Sequence, residues 1–224
     1  MASNGPVAAQ APGVLFVWTN VDPAHEDDFN RWYDREHLEE RVRVQGIRAA
    51  TRYRAASGPR RYLGLYETAS LDVFRSDAYR RAFQHQTPWS LTNFGRMSDS
   101  MRRVCRVAAT TGFGRGAWLA VIRLGRDDEP ALNGAVASLH CQDGIVATRL
   151  LVPDPKLSAP LPAENTGSRM LDPILLVEAT HEPAAAAAAR SVADESGGGA
   201  IEAGILHLLW RLSAEDLHDA VGER

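Results

Sequence analysis

Phe29, Trp32, Tyr33, Glu36, His37 and Glu40 stand at i, i+3, i+4, i+7, i+8 and i+11. In an α-helix that spacing puts all six on one face. A core-facing stripe ordinarily stays apolar to the end of its helix, but this one changes to Glu36 and His37. An imidazole titrates at about 6.5, so it can take or give a proton near neutrality. A neighbouring carboxylate can orient it and favour its charged form. The pair suits general acid–base chemistry, with His37 as acid or base and Glu36 as its orienter. Helix physics offers an alternative: a solvent-facing Glu–His pair at a helix end, where the dipole favours a cationic His.

Other chemistries leave no such trace. No Gly-rich phosphate loop follows a strand, and Gly112-Phe-Gly114 lacks the rest of a dinucleotide fingerprint. Neither GxSxG nor HExxH occurs. Cys105 and Cys141 have no zinc spacing and make no disulfide framework. Neither metal nor organic cofactor is expected.

The elements that must position these residues follow from local signals. Val14 to Asn20 is a short apolar run rich in β-formers. Asp22-Pro23 gives an N-cap followed by proline, with Glu26, Asp27 and Asp28 in the first turn, so a helix is predicted from Pro23 to Arg43. Gly46 breaks it. Strands are predicted at Ile47 to Ala55 and Arg61 to Thr68, around a Ser57-Gly58-Pro59 turn, then a helix over Leu71 to Phe83, a loop from Gln84 to Arg96, and a strand over Ser100 to Ala108.

The second half gives the same order: a strand over Ala117 to Leu124, a helix from Glu129-Pro130 to Cys141, a strand over Ile145 to Val152, a Pro-rich loop from Pro153 to Arg169, a strand over Ile174 to Thr180, an Ala-rich helix over Pro183 to Ala193, and a strand over Ile205 to Leu212. Leu65-Tyr-Glu67 answers Leu176-Val-Glu178, Val104-Cys-Arg106-Val107 answers Leu209-Trp-Arg211-Leu212, and Gly46-Ile47 answers Gly144-Ile145.

Each half is therefore βαββαβ, the ferredoxin-like unit, whose sheet has one face bare of helices. The fold class expected is α+β: two tandem ferredoxin-like repeats, their bare faces pressed into one α/β barrel. The boundaries are a flexible N-terminus at 1–13, a first repeat at 14–110 bearing the candidate site, a degenerate second repeat at 115–213 and a tail at 214–224.

The barrel interior is the expected small-molecule cavity. Strand alternation puts Phe16 with Trp18, and Tyr62 and Gly64 with Tyr66; this aromatic set, with Tyr53, is expected to line it, Gly64 leaving a gap. The aliphatic Leu15, Val17, Leu63 and Leu65 would then face the helices. Ordinary core packing is the alternative for these aromatics. Trp89 and Phe94, in the predicted loop, could lid the cavity, with Asn93 or His85 as polar contact, or pack on helix ends. The repeat-two position matching His37 is Ala135, so only the first half keeps the imidazole. His207 and Cys105, on strands, read as satisfied core.

Composition excludes some partners. Over 224 residues the formal net charge is −3, so no overall basic field attracts nucleic acid or an anionic membrane. Lys156 is the only lysine; the arginines between Arg41 and Arg81 are interleaved with acids and read as a solvated surface. No stretch approaches the roughly 20 apolar residues of a membrane span, Met1 to Gly13 does not read as a signal peptide, and a cytoplasmic protein with reduced thiols is expected. Outer sheet edges leave a homodimer possible.

Phe29-Asn-Arg-Trp32-Tyr33-Asp-Arg-Glu36-His37-Leu38, then Gly46-Ile-Arg48 and Thr51-Arg-Tyr53, resembles the EthD-like branch of the dimeric α/β-barrel proteins. The resemblance covers residues 14–108; the second half resembles it only in element order. That superfamily includes polyketide cyclases, muconolactone isomerases, cofactor-free monooxygenases, and haem enzymes such as chlorite dismutases and aldoxime dehydratases. The resemblance implies a cofactor-independent enzyme with His37 as its acid–base residue.

The expected substrate is a small apolar compound, aromatic or polyketide-like. The reaction would be elimination, isomerisation or cyclisation. Trp32, Tyr33, Phe16, Trp18, Tyr53, Tyr66, Trp89, Asn93 and Phe94 would shape the pocket. A haem enzyme using His207 or His140 as axial ligand, and a non-catalytic binding module, are the alternatives.

Overall fold

A computed structural model describes residues 11–125, 136–167, 169–195 and 200–217. Eight strands close into one antiparallel barrel in the order β1-β3-β2-β8-β5-β7-β6-β4. The first repeat supplies β1 (Gly13–Val21), β2 (Ile47–Ser57), β3 (Tyr62–Thr68) and β4 (Met97–Gly112), and the second β5 (Trp118–Leu124), β6 (Ile145–Pro153), β7 (Ile174–Ala179) and β8 (Ala200–Ser213). Within each repeat the strand order is that of a ferredoxin-like sheet, as the repeated element order predicts.

The long last strand of each repeat closes the barrel. β4 pairs with β1 over one part of its length and with β6 over the rest, from Cys105↔Pro153 to Gly112↔Ala147. β8 does the same between β5 and β2, with Ala49↔Ser213 at one end and Ser57↔Ile205 at the other. Each repeat thus covers the other's free edge, and no strand is left unpaired among those of the barrel. β4 runs through Gly112, into the segment that the sequence suggests as a linker.

Local signals place the helices well. Asp22 caps the first helical segment, its carboxylate accepting from the Ala24 N–H at 2.9 Å, with Pro23 in the first turn. α1 (Glu26–Trp32) and α2 (Leu38–Val42) are joined without a break by a π turn, Tyr33–His37. Gly46 and Gly144, at matching places before β2 and β6, both take positive φ (93° and 80°), a conformation that favours glycine. The predicted second helix divides into a 3₁₀ turn at Leu71–Arg75 and α3 (Asp77–Gln84). The predicted loop after it contains α4 (Pro88–Gly95), started by Thr87, whose hydroxyl accepts from the Ser90 N–H at 3.0 Å. α5 (Glu182–Glu195) covers the second sheet, beside a helical stretch at 136–140; the rest of the helix predicted from Glu129, with Ala135, lies outside the described residues.

The barrel interior is a packed core rather than the predicted cavity. Val14, Phe16, Trp18, Tyr53, Leu63, Leu65, Met101, Cys105, Leu119, Val121, Leu151, Ile174, Leu176 and Leu206, from all eight strands, form one buried cluster. Trp18 donates from Nε1 to the Arg60 carbonyl at 3.0 Å. Its ring lies against Gly204, where a Cβ would stand 2.7 Å from it.

The interior also holds charge. Glu178, fully buried, accepts from Arg149 at 2.8 Å, Arg115 at 3.0 Å and the Gly116 N–H at 3.1 Å. Glu67, its counterpart in the repeat, bonds the same two arginines. The Tyr53 hydroxyl donates to Glu178 at 3.4 Å, and its phenol is pushed up by burial and by that carboxylate. The repeated glutamates thus meet across the pseudo-symmetric halves.

Removing one partner of a buried ion cluster strands the others, at a cost of about 3–5 kcal/mol. Glu178→Ala is therefore expected to lower stability by about 3 kcal/mol in urea unfolding; an unchanged midpoint would show that the arginines are satisfied without it.

Candidate active site

The cavity sits on the other side of the sheet, between its outer face and the first repeat's helices. Its volume is about 390 Å³. The floor is Leu15 and Val17 from β1, Tyr66 from β3, and Met97, Ser100 and Arg102 from β4. The walls are Tyr33, His37 and Arg41, with Tyr79 and Phe83 of α3, Gln86, and Leu91, Phe94 and Gly95 of α4. Leu161, Pro162 and Ala163, from the Pro-rich loop of the second repeat, complete the lining. Sequence reasoning gave that loop no role. Arg102 donates to its Leu157 and Ala159 carbonyls at 3.0 Å each, and Arg103 pairs with its Glu164.

The strand register explains why the predicted aromatic wall divides. Phe16 pairs with Leu65 and Leu15 with Tyr66, and directly paired residues share a face. Phe16, Trp18 and Tyr53 therefore point into the barrel core and do not reach the cavity, while Tyr62 and Tyr66 face the helices. Leu15 and Val17 face the helices as expected; Leu63 and Leu65 do not. Gly64 does leave a gap on the helix side: a Cβ there would lie 3.2 Å from the Tyr66 ring.

The π turn decides where His37 points. The Leu38 N–H bonds back to the Tyr33 carbonyl, five residues earlier. In an α-helix residues five apart point away from each other; in this turn they align. Trp32 and His37 accordingly stack with ring centroids 4.2 Å apart. The same turn shifts the faces, so His37 and Arg41 line the cavity while Glu36 and Glu40 lie partly exposed.

His37 is 5% exposed and caged by Trp32, Tyr33, Phe94 and Tyr66 at centroid distances of 4.2 to 6.2 Å. Its Nδ1 is buried without a hydrogen-bond partner. Burial, then the positive charges of Arg41 and Arg52, hold its pKa well below the ordinary 6.5, so the ring is neutral.

Glu36 does not orient His37. It accepts from Thr87 at 2.6 Å and Ser90 at 3.2 Å, and Ser90 in turn accepts from Trp32 Nε1 at 3.0 Å. The carboxylate therefore joins α4 to the helix that carries the stacked Trp32. Trp89 and Asn93 do not line the cavity either. Both donate to Asp28, at 3.2 and 3.4 Å, and Arg96 adds a bond of 2.6 Å. These donors, with Arg31, hold the Asp28 carboxyl well below its usual range. His85 is exposed.

Arg52 is the support that sequence reasoning missed. Its guanidinium lies 4.1 Å from the Tyr33 centroid, 4.9 Å from Tyr62 and 5.5 Å from Phe29. It donates to Asn30 at 2.6 Å and to Asp34 at 3.3 Å, and Asp34 also accepts from Trp210 of the second repeat at 3.0 Å. The signal available was an arginine within a strand of otherwise apolar and small residues. Burial pushes both Tyr33 and Tyr66 phenols up, so both stay protonated as donors.

The second repeat has a different interior. Leu139, Ile145, Leu175, Val177, Ala185, Ala188 and Val192 pack into one cluster between its sheet and its helices. His140 and His207 are exposed, and His207 packs edge-on against Trp118 at 5.1 Å instead of lying in the core. Among the described residues no group of His, Cys, Asp and Glu could hold a metal ion, and no helix is long and apolar enough to cross a membrane.

The chain matches no protein-family model and no curated protein. It is similar to solved structures over most of its length. An anthrone oxidase-like protein superposes with a TM-score of 0.64 at 14% identity, over 92% of this chain and 94% of that one. A candidate monooxygenase from Fusobacterium nucleatum gives 0.58 at 8% identity, over 91% and 94%. A mutant chlorite dismutase from Candidatus Nitrospira defluvii, in complex with cyanide, gives 0.51 at 12% identity, over 93% and 95%. At such identities the likeness is one of fold: a mixed α+β barrel built from two ferredoxin-like halves.

Proposed function

We propose that this protein is an enzyme that takes a small, largely apolar aromatic or polyketide-like compound into the first-repeat cavity and removes a proton from it with His37. The observation that carries the reading is a neutral, caged imidazole on the wall of a 390 Å³ cavity. That volume lies in the range of small-molecule sites, and the aromatic lining suits planar rings. A neutral imidazole can accept a proton, and the anion left on the substrate would face a lining in which Arg41 and Arg102 are the charged groups.

The anion has several fates. Isomerisation, elimination and cyclisation are redox-neutral. Oxygenation fits the names of the anthrone oxidase-like and monooxygenase-like neighbours better. A ring methylene plus dioxygen gives a ring carbonyl plus water, with all four electrons drawn from the substrate carbon, so no external reductant is needed.

The haem-dependent reading is favoured only by the chlorite dismutase likeness. It would need an imidazole aimed into an open space in the second repeat. His140 and His207 are exposed and that space is filled by the second core cluster, so these residues do not fit a haem.

Anthrone is a suitable probe. The wild-type protein is expected to consume one dioxygen per anthrone above the uncatalysed rate, and His37→Gln to lose about 10²–10⁴-fold of that rate. Proton exchange at the ring methylene without oxygen uptake would move the reading to a redox-neutral reaction. Unchanged turnover in the variant, or a Soret band in protein from haem-replete cells, would overturn it.

The pH dependence has a definite sign. Because the folded-state pKa of His37 lies below 6.5, kcat/KM should be flat above about that pH and fall only on a limb displaced to more acid values. Between the lowered pKa and 6.5 the unfolded chain holds the extra proton, so the contribution of His37 makes stability fall as pH drops through that window. His37→Phe should remove that contribution, which denaturant titrations at several pH values would show. Gly64→Ala should push the Tyr66 ring toward the cavity and weaken binding of three-ring compounds more than of two-ring ones, as read by fluorescence titration.

A further inference from the structure

We infer that the cavity selects an anionic aromatic compound, a phenolate, enolate or carboxylate, and that Arg41 is the residue that selects it. The inference rests on the reading of this cavity as the substrate site and names the substrate class.

Two guanidinium groups line the cavity, and no carboxylate does. They differ in how far their donors are used. Arg102 is committed to the frame, with bonds to the Leu157 and Ala159 carbonyls and one to the Tyr79 hydroxyl at 3.1 Å. Arg41 is not. Its side chain is 8% exposed, its Nε is buried with no partner, and its side-chain hydrogen bond goes to the neutral Gln86 at 3.1 Å. The nearest carboxylate, Glu40, stands off at 3.8 Å with a side chain 35% exposed. A buried cation so weakly compensated is costly unless something completes it.

The position of Arg41 says what that something does. It stands four residues after His37 on the same helix, so both side chains face one cavity wall. An anionic oxygen held by Arg41 places the neighbouring ring carbon beside the imidazole. When His37 accepts the proton, the electron pair left behind delocalises onto that oxygen, and the guanidinium is already in place to stabilise it. Binding and the developing charge therefore share one partner, and a neutral isostere of the same shape would leave the Arg41 donors unmet.

The test is a binding measurement, independent of turnover. The probes are 1-naphthoate and its neutral isostere 1-naphthamide, titrated calorimetrically against wild type, Arg41→Gln and Arg41→Lys, with thermal unfolding to show that each variant is folded. Wild type should prefer naphthoate by about 10- to 100-fold, the usual worth of hydrogen bonds to a charged group. Arg41→Gln should abolish the preference while leaving naphthamide binding within about threefold, and Arg41→Lys should restore part of it. Equal affinities of wild type for the two probes would overturn the inference, as would an undiminished preference in Arg41→Gln. If the glutamine variant fails to fold, the wild-type comparison and the lysine variant decide. Anion selectivity in a protein whose His37→Gln variant turns over normally would sink the catalytic reading alone; loss of turnover without anion selectivity would sink this inference alone.

Discussion

Placing positive charge beside a buried imidazole governs the rest of this molecule. In water two such charges would be screened and His37 would titrate near its ordinary value. Between the sheet and the helices the effective dielectric is lower, so burial, Arg41 and Arg52 all act in one direction and keep the ring neutral. Neither arginine could stand there alone. Arg52 is held by three aromatic faces and by Asn30 and Asp34, while Arg41 leans on Gln86. The aromatic cage around His37 thus excludes water from the imidazole, and its member Tyr33 also carries the cation that opposes protonation.

That arrangement requires a rigid floor, which barrel closure supplies. β4 and β8 each pair with strands of both repeats, so the sheet beneath the cavity ends in no free edge. β4 also carries Arg102 and Arg103, which tie the Pro-rich loop of the second repeat across the first repeat's cavity. The barrel interior, by contrast, is filled with side chains and a glutamate–arginine cluster, and it contributes stiffness instead of a binding space.

The fold was largely legible because its signals are local and repeated. Asp22-Pro23, the glycines at 46 and 144 and the alternating strands each act within a few residues, and their common order in both halves fixes two ferredoxin-like units. The site was less legible, because it depends on two facts that no local pattern carries. The register of β1 against β3 sends Phe16 and Tyr66 to opposite faces, and an alternation argument made strand by strand cannot see that pairing. The π turn rotates the second half of the helix, so six positions that share a face at 3.6 residues per turn do not share it here. Glu36 fell to the second effect and Phe16, Trp18 and Tyr53 to the first. Arg52 and the loop at 161–163 act across long sequence separations and left only a faint mark.

The two repeats also show how a duplicated architecture can keep a cavity in one half and lose it in the other. In the second, Ala184, Ala185 and Ala188 of α5 are buried against the sheet beside Leu175 and Val177. Alanine brings a helix close to a sheet, and the aliphatic side chains fill what is left. In the first, Phe29, Trp32, Tyr33 and Tyr66 are large and stiff and pack edge-on to one another. Such rings hold helix and sheet apart at some points without filling the volume between, and that unfilled volume is the cavity. The asymmetry in side-chain size, more than any difference in backbone, separates the half that can bind from the half that braces it.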